Sequence, residues 1–131
     1  MDKNKKKGFT LVELIVVLAI LAILAAMLVP ALTGYIDKAN QKKVVAETRQ
    51  IVVAAQTIAS EDYAKGKVDA NYVPNKDDIL KLAELSGKGT LTIAKENVND
   101  TTGTIEYLKW QPNNGKWCEY RSVGDTYTLE S

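Results

Sequence analysis

The sequence predicts an α+β protein in which one long N-terminal helix packs by its second half on a small C-terminal antiparallel β-sheet. Three observations carry this expectation. No charged residue falls between Leu14 and Ile36, a run too long and too apolar for a strand or a surface loop. Beyond it, apolar residues recur at helical spacing to about position 65, so the helix continues with one greasy face. The last third of the chain then changes to short β-rich runs separated by turn residues.

The apolar stretch comes first. Some 23 uncharged positions make a helix of about 34 Å, enough to cross a hydrocarbon core. Three explanations fit such a segment: a secretory signal that is removed, a permanent membrane anchor, or a helix that sits in the membrane first and packs in protein later. A signal peptide explains the basic residues in front and the small residues at Ala25-Ala26, but the apolar run exceeds the usual length and passes directly into more helix. An anchor explains the length but not Glu13, because a carboxylate truly buried at the head of a membrane helix costs up to ~2.5–3.5 kcal/mol, and less when it snorkels.

Residues 37–65 read as an amphipathic continuation. Val44, Thr48, Ile51, Ala55 and Ile58, flanked by Val45, Val52 and Ala59, form one face, while Lys42, Lys43, Arg49, Gln50 and Gln56 occupy the others. The whole element from Phe9 to Lys65-Gly66 would span about 80 Å. A helix of that length needs both halves to bury a face.

Residues 66–131 read as a globular head. Asn71–Asn75 is a loop, and Asp77–Leu85 a short helix with acidic residues in its first turn and Ser86-Gly87 at its end. Strands are expected at Thr90–Ala94, Thr104–Trp110, Lys116–Ser122 and Thr126–Glu130. Asn113-Asn114-Gly115 and Val123-Gly124-Asp125 supply the turns of a meander between the last three. Ile105, Tyr107, Trp110, Trp117, Tyr120, Tyr127 and Leu129 are expected mostly in the core.

Charge and residue usage exclude several functions. Of 17 basic and 16 acidic residues, four and one lie in the first eight positions, which leaves 13 against 15, a net charge of −2 from Phe9 onward. That balance offers no basic surface for nucleic acid. Lys3, Lys5, Lys6 and Lys7 in front of an apolar run instead hold the N-terminus in the cytoplasm. There is no histidine and a single cysteine, Cys118, so imidazole catalysis, imidazole metal ligation and an internal disulfide are all excluded. Cys118 sits in a strand-like run and reads as a buried structural thiol. Asp100, Glu119, Asp125 and Glu130 lack the spacing of an oxygen-ligand loop. No metal, cofactor or catalytic site is expected, and the chain does not read as an enzyme.

Lys5-Lys6-Lys7-Gly8-Phe9-Thr10-Leu11-Val12-Glu13-Leu14 resembles the type III signal sequence of type IV prepilins and pseudopilins. In that family a basic leader ends in Gly, Phe follows, and a Glu stands at the fifth mature position before an unbroken apolar helix. The resemblance implies a leader over residues 1–8, removed by a membrane prepilin peptidase between Gly8 and Phe9, and N-methylation of Phe9. It implies a long helix on a small sheet, self-association into a filament with Glu13 setting subunit register, and a pilus assembly platform as partner. It places the precursor in the cytoplasmic membrane with its N-terminus inside, and the product in an extracellular pilus or a cell-envelope pseudopilus of a type II secretion or DNA-uptake system. Glycine has no side chain, so an extended backbone at Gly8 can lie close against a protease. Glu13 is one helical turn from the amine that cleavage creates, and it also favours the positive end of the helix dipole. The carboxylate can answer its own terminus or a neighbour's. Pro30 removes a backbone donor and Gly34 loosens the same region, so a kink or local break is expected there.

Overall fold

The computed structural model describes residues 8–131, so the leader lysines Lys3, Lys5, Lys6 and Lys7 lie outside the described residues. Chain contacts divide the protein into two compact units with the boundary at Lys38/Ala39. One helix, α1 (Leu11–Ala64, 54 residues), contributes to both.

In the first unit, α1 is apolar around its whole circumference. Every large hydrophobic side chain from Phe9 to Ile36 is exposed, Leu14 at 50% and Phe9 at 85%. Where a kink or local break is expected, the helix runs through Pro30 and Gly34 without interruption. Proline deletes one ladder bond, but the neighbouring groups have no better partners than the helix itself. Thr33 stays within it, donating its hydroxyl to the Val29 carbonyl at 2.9 Å.

In the second unit, the same helix buries Val44, Thr48, Ile51, Ala54, Ala55 and Ala59, a stripe at steps of three and four residues. Thr48 is polar but satisfied, its hydroxyl donating to the Val44 carbonyl at 2.8 Å. The short helix α2 (Lys76–Leu82) follows. Asn75 caps it by accepting from the Asp77 and Asp78 amides at 2.9 and 3.2 Å. α2 stops three residues before the expected Leu85 because Glu84 turns left-handed, with φ of 59°. The Glu84 and Leu85 amides then donate back to Lys81 and Leu80 at 3.1 and 2.8 Å, a helix ending in which glycine normally holds that position.

The main sheet contains β1 (Gly89–Thr92), β4 (Tyr107–Pro112), β5 (Cys118–Arg121) and β6 (Thr126–Leu129), in that order and antiparallel throughout. The expected meander of the last three strands is present. A separate two-stranded ribbon, β2 (Val98–Asn99) with β3 (Thr104–Ile105), was not anticipated. The expected strand Thr104–Trp110 is divided by Glu106. Its amide donates to the Asn97 carbonyl on the ribbon side at 2.8 Å, while its carbonyl accepts from Ser122 beside β5 at 2.9 Å. The chain changes partner at that one residue.

Alternation in β4 and β5 sets the two faces of the sheet. Leu108, Trp110, Cys118 and Tyr120 point into the core with Ile51, Ile79, Leu91 and Ile105. Tyr107 and Trp117, expected mostly in the core, lie only partly buried instead. Cations cover their rings, Arg121 at 5.0 Å from the Tyr107 centroid and Lys109 at 4.2 Å from that of Trp117.

Candidate functional site

The first turn of α1 is built from Thr10 and Glu13. The Thr10 hydroxyl accepts the Glu13 amide at 3.2 Å, and the Glu13 carboxylate accepts the Thr10 amide at 3.4 Å. This reciprocal pair satisfies two of the backbone donors that any helix start leaves open. It also fixes where the helix begins. Leu14 donates to the Thr10 carbonyl at 3.1 Å, so Leu11 is the first helical residue rather than the expected Phe9. Gly8, Phe9 and Thr10 are exposed and outside regular structure. The Gly8–Phe9 peptide bond thus lies just ahead of the helix, unprotected by its hydrogen bonds. Sequence reasoning assigned Glu13 a charge-pairing role and missed this cap, although Thr-x-x-Glu before an apolar run is its signal.

Among the described residues nothing requires glycine at position 8: a side chain there would meet no atom within 4 Å, and no positive φ is involved. The same holds at Gly34, where a mid-helix glycine costs about 1 kcal/mol against alanine. Packing among the described residues therefore explains neither residue. Pro30 lies on the same exposed helix and touches no core.

The head's polar groups are engaged in holding the fold. The Trp110 indole donates to Glu47 at 2.9 Å. Gln56, expected on a solvated side of the helix, is half-buried and uses its whole amide. It accepts from the Ile105 amide at 2.9 Å and donates to the Gly103 carbonyl at 3.0 Å and to Ser60 at 3.1 Å, tying the β2–β3 ribbon to α1. Of the acidic residues weighed for ion binding, Glu119 accepts the Tyr107 hydroxyl at 2.9 Å and Glu130 the Trp117 amide at 3.2 Å. Among the described residues no group of three or more acidic, cysteine or histidine side chains is placed to hold a metal. Cys118 is fully buried, and that burial pushes its thiol above the usual value.

Residues 3–29 match the family model described as the prokaryotic N-terminal methylation motif. Over 129 residues, 98% of this chain and 79% of the relative, the sequence is 36% identical to a fimbrial protein of Moraxella nonliquefaciens. It is 38% identical to a type IV major fimbrial protein FimA of Dichelobacter nodosus over 113 residues, covering 79% of this chain and 70% of the relative. A type II secretion system core protein G of Aeromonas hydrophila is 49% identical over 80 residues, 61% of this chain and 50% of the relative. No solved structure matches the chain significantly. A long N-terminal helix on a small antiparallel sheet, with this motif running into the start of the helix, defines a class of proteins that carry the prokaryotic N-terminal methylation motif. The chain belongs to the type IV pilin and pseudopilin family. Its α1 is also the one described helix long and apolar enough to cross a membrane.

Proposed function

We propose that this chain is the precursor of a structural subunit of a type IV pilus filament, cut between Gly8 and Phe9 and polymerised through the first half of α1. The observation that carries the reading is the first part of α1, Leu11 to Ile36: apart from Glu13 it has no charge, its large apolar side chains are all exposed among the described residues, and its cap residue Thr10 directly follows an exposed peptide bond. Such a surface is stable in lipid or against other subunits, not in water.

Hydrolysis at Gly8–Phe9 by a prepilin peptidase leaves a carboxylate on the leader and a new amine on Phe9, which remains cationic after methylation. It also removes the lysines that hold the N-terminus in the cytoplasm. The helix is then free to leave the membrane with help from the assembly platform. Inside a filament an unpaired carboxylate is expensive, so docking that brings Glu13 to a cationic terminus is favoured over docking that does not. Glu13 thereby sets register as helices stack. Pro30 and Gly34 provide a weak point where the helix bends or opens as it packs. The precursor resides in the cytoplasmic membrane and the product outside it. Near-complete alignment with a fimbrial protein supports the pilus reading.

The similarity to a type II secretion core protein G favours a second reading, a pseudopilin of a secretion or DNA-uptake apparatus that uses the same helix in a shorter fibre. Electron microscopy of sheared cell-surface material distinguishes them: long filaments containing this chain support the pilus. Glu13→Ala tests the register role. Filaments should be lost while the processed protein remains in the membrane; unchanged filament yield and length would refute the role.

A further inference from the structure

The turn between β4 and β5 carries a chemical property that filament formation does not use. We propose that Asn114–Gly115 is a site of spontaneous deamidation in the folded protein, converting Asn114 to aspartate and isoaspartate and adding a negative charge beside Lys116. The Gly115 backbone nitrogen attacks Asn114 Cγ and expels the side-chain nitrogen as ammonia, closing a succinimide. One water then opens the ring at either carbonyl, so one amide nitrogen is lost for each water consumed.

Several features of this turn favour the attack. Asn114 and Gly115 are both exposed. The Asn114 side chain makes no hydrogen bond and the Gly115 amide donates none, among the described residues. Glycine, having no Cβ, also leaves its nitrogen open to approach and the local backbone free to turn. The turn is held at its rim rather than at the reacting atoms: Gln111 donates to the Gly115 carbonyl, and Asn113 is bound to the opposite loop.

Four other asparagines of the head make the contrast. Asn75 accepts two amides as the α2 cap. Asn97 accepts the Ala94 amide. Asn99 accepts the Thr101 and Thr102 amides and donates to Glu106. Asn113 donates to the Gly87 carbonyl at 2.9 Å. Each is followed by a residue with a side chain, so both the electrophile and the nucleophile are restrained. The isoaspartate product routes the main chain through the side-chain carbonyl and adds a methylene between β4 and β5.

The test uses the full chain, folded in detergent and incubated at neutral and mildly alkaline pH. Trypsin cuts after Lys109 and Lys116, which releases Trp110–Lys116 with Asn113 and Asn114 in one peptide, and fragmentation assigns the site. Digestion in heavy-oxygen water marks any conversion that occurs during handling. Expected are both acidic products at Asn114, faster at the higher pH because the Gly115 amide must lose its proton, with Asn113 intact. Gly115→Ala should slow conversion about tenfold, equivalent to ~1.4 kcal/mol of barrier. The added Cβ would lie 3.0 Å from Pro112 Cγ, a side-chain contact that a small shift relieves. An intact Asn114 over the period in which the urea-unfolded chain converts overturns the proposal. Equal conversion at Asn113, or a rate indifferent to pH, also overturns it. These outcomes are read on the unmodified sequence and stand whether or not the Gly115→Ala chain folds.

Discussion

The two halves of α1 belong to one helix, differ in composition and meet opposite fates. From Leu11 to Ile36 the apolar side chains go all the way round and none is buried. From Val44 to Ala59 they form one stripe, and that stripe is closed by the sheet and α2. The difference lies in the pattern as well as in the amount of apolar surface. A stripe can be covered by one sheet, whereas a helix that is apolar all round needs a surrounding medium of lipid or of other helices. The lower half therefore finds its partners within the chain and the upper half has to find them outside it.

The largest test of that contrast is Trp110→Ala. This indole is fully buried and its ring nitrogen binds Glu47 on α1, so the head should lose about 3–5 kcal/mol in thermal or denaturant unfolding. Leu18→Ala, which removes a comparable side chain from the upper half, should leave head stability unchanged to within about 0.5 kcal/mol. If Leu18→Ala destabilises the head as much as Trp110→Ala does, the two halves are not independent.

Gln56→Leu comes next. It strands the Ile105 amide and the Gly103 carbonyl and should cost about 2 kcal/mol, with hydrogen exchange quickening in β2–β3 before it does in β4. A third test is alkaline pH. Burial raises the phenols of Tyr72, Tyr107, Tyr120 and Tyr127, helped by Asp62 at Tyr72, Glu119 at Tyr107 and Asp125 at Tyr120 and Tyr127. The unfolded chain gives up these protons near pH ~10 while the fold still holds them. Head stability is therefore full below that pH and falls as pH rises toward the raised values. Tyr72→Phe should make the fall shallower, as followed by circular dichroism against pH. The smallest effect should come from Glu84→Gly, which relieves a left-handed residue and should stabilise the head by about 1 kcal/mol, seen as a higher Tm.

These contrasts mirror what was legible in the sequence. Helix periodicity located the buried stripe because each of its residues makes the same kind of contact, and Asn-Gly and Val-Gly-Asp marked the turns of the meander. The β2–β3 ribbon was illegible: its strands are two residues each, too short for alternation to register. Glu106 hid the change of partner inside what reads as one continuous strand. Tyr107 and Trp117 looked like core because their types are apolar, yet strand parity turns them outward. At the N-terminus the motif was plain, but Glu13 was read only as a charge. Its present partner is the Thr10 amide, a local bond that competes for the same carboxylate oxygen.

The most direct test of the central claim, that the upper half of α1 is kept and packed rather than discarded, is mass spectrometry of the mature N-terminus. The expected chain begins at methylated Phe9 and contains the whole apolar helix. A chain that begins after Ala26 would contradict it, because most of that helix would then have been removed as an ordinary secretory signal.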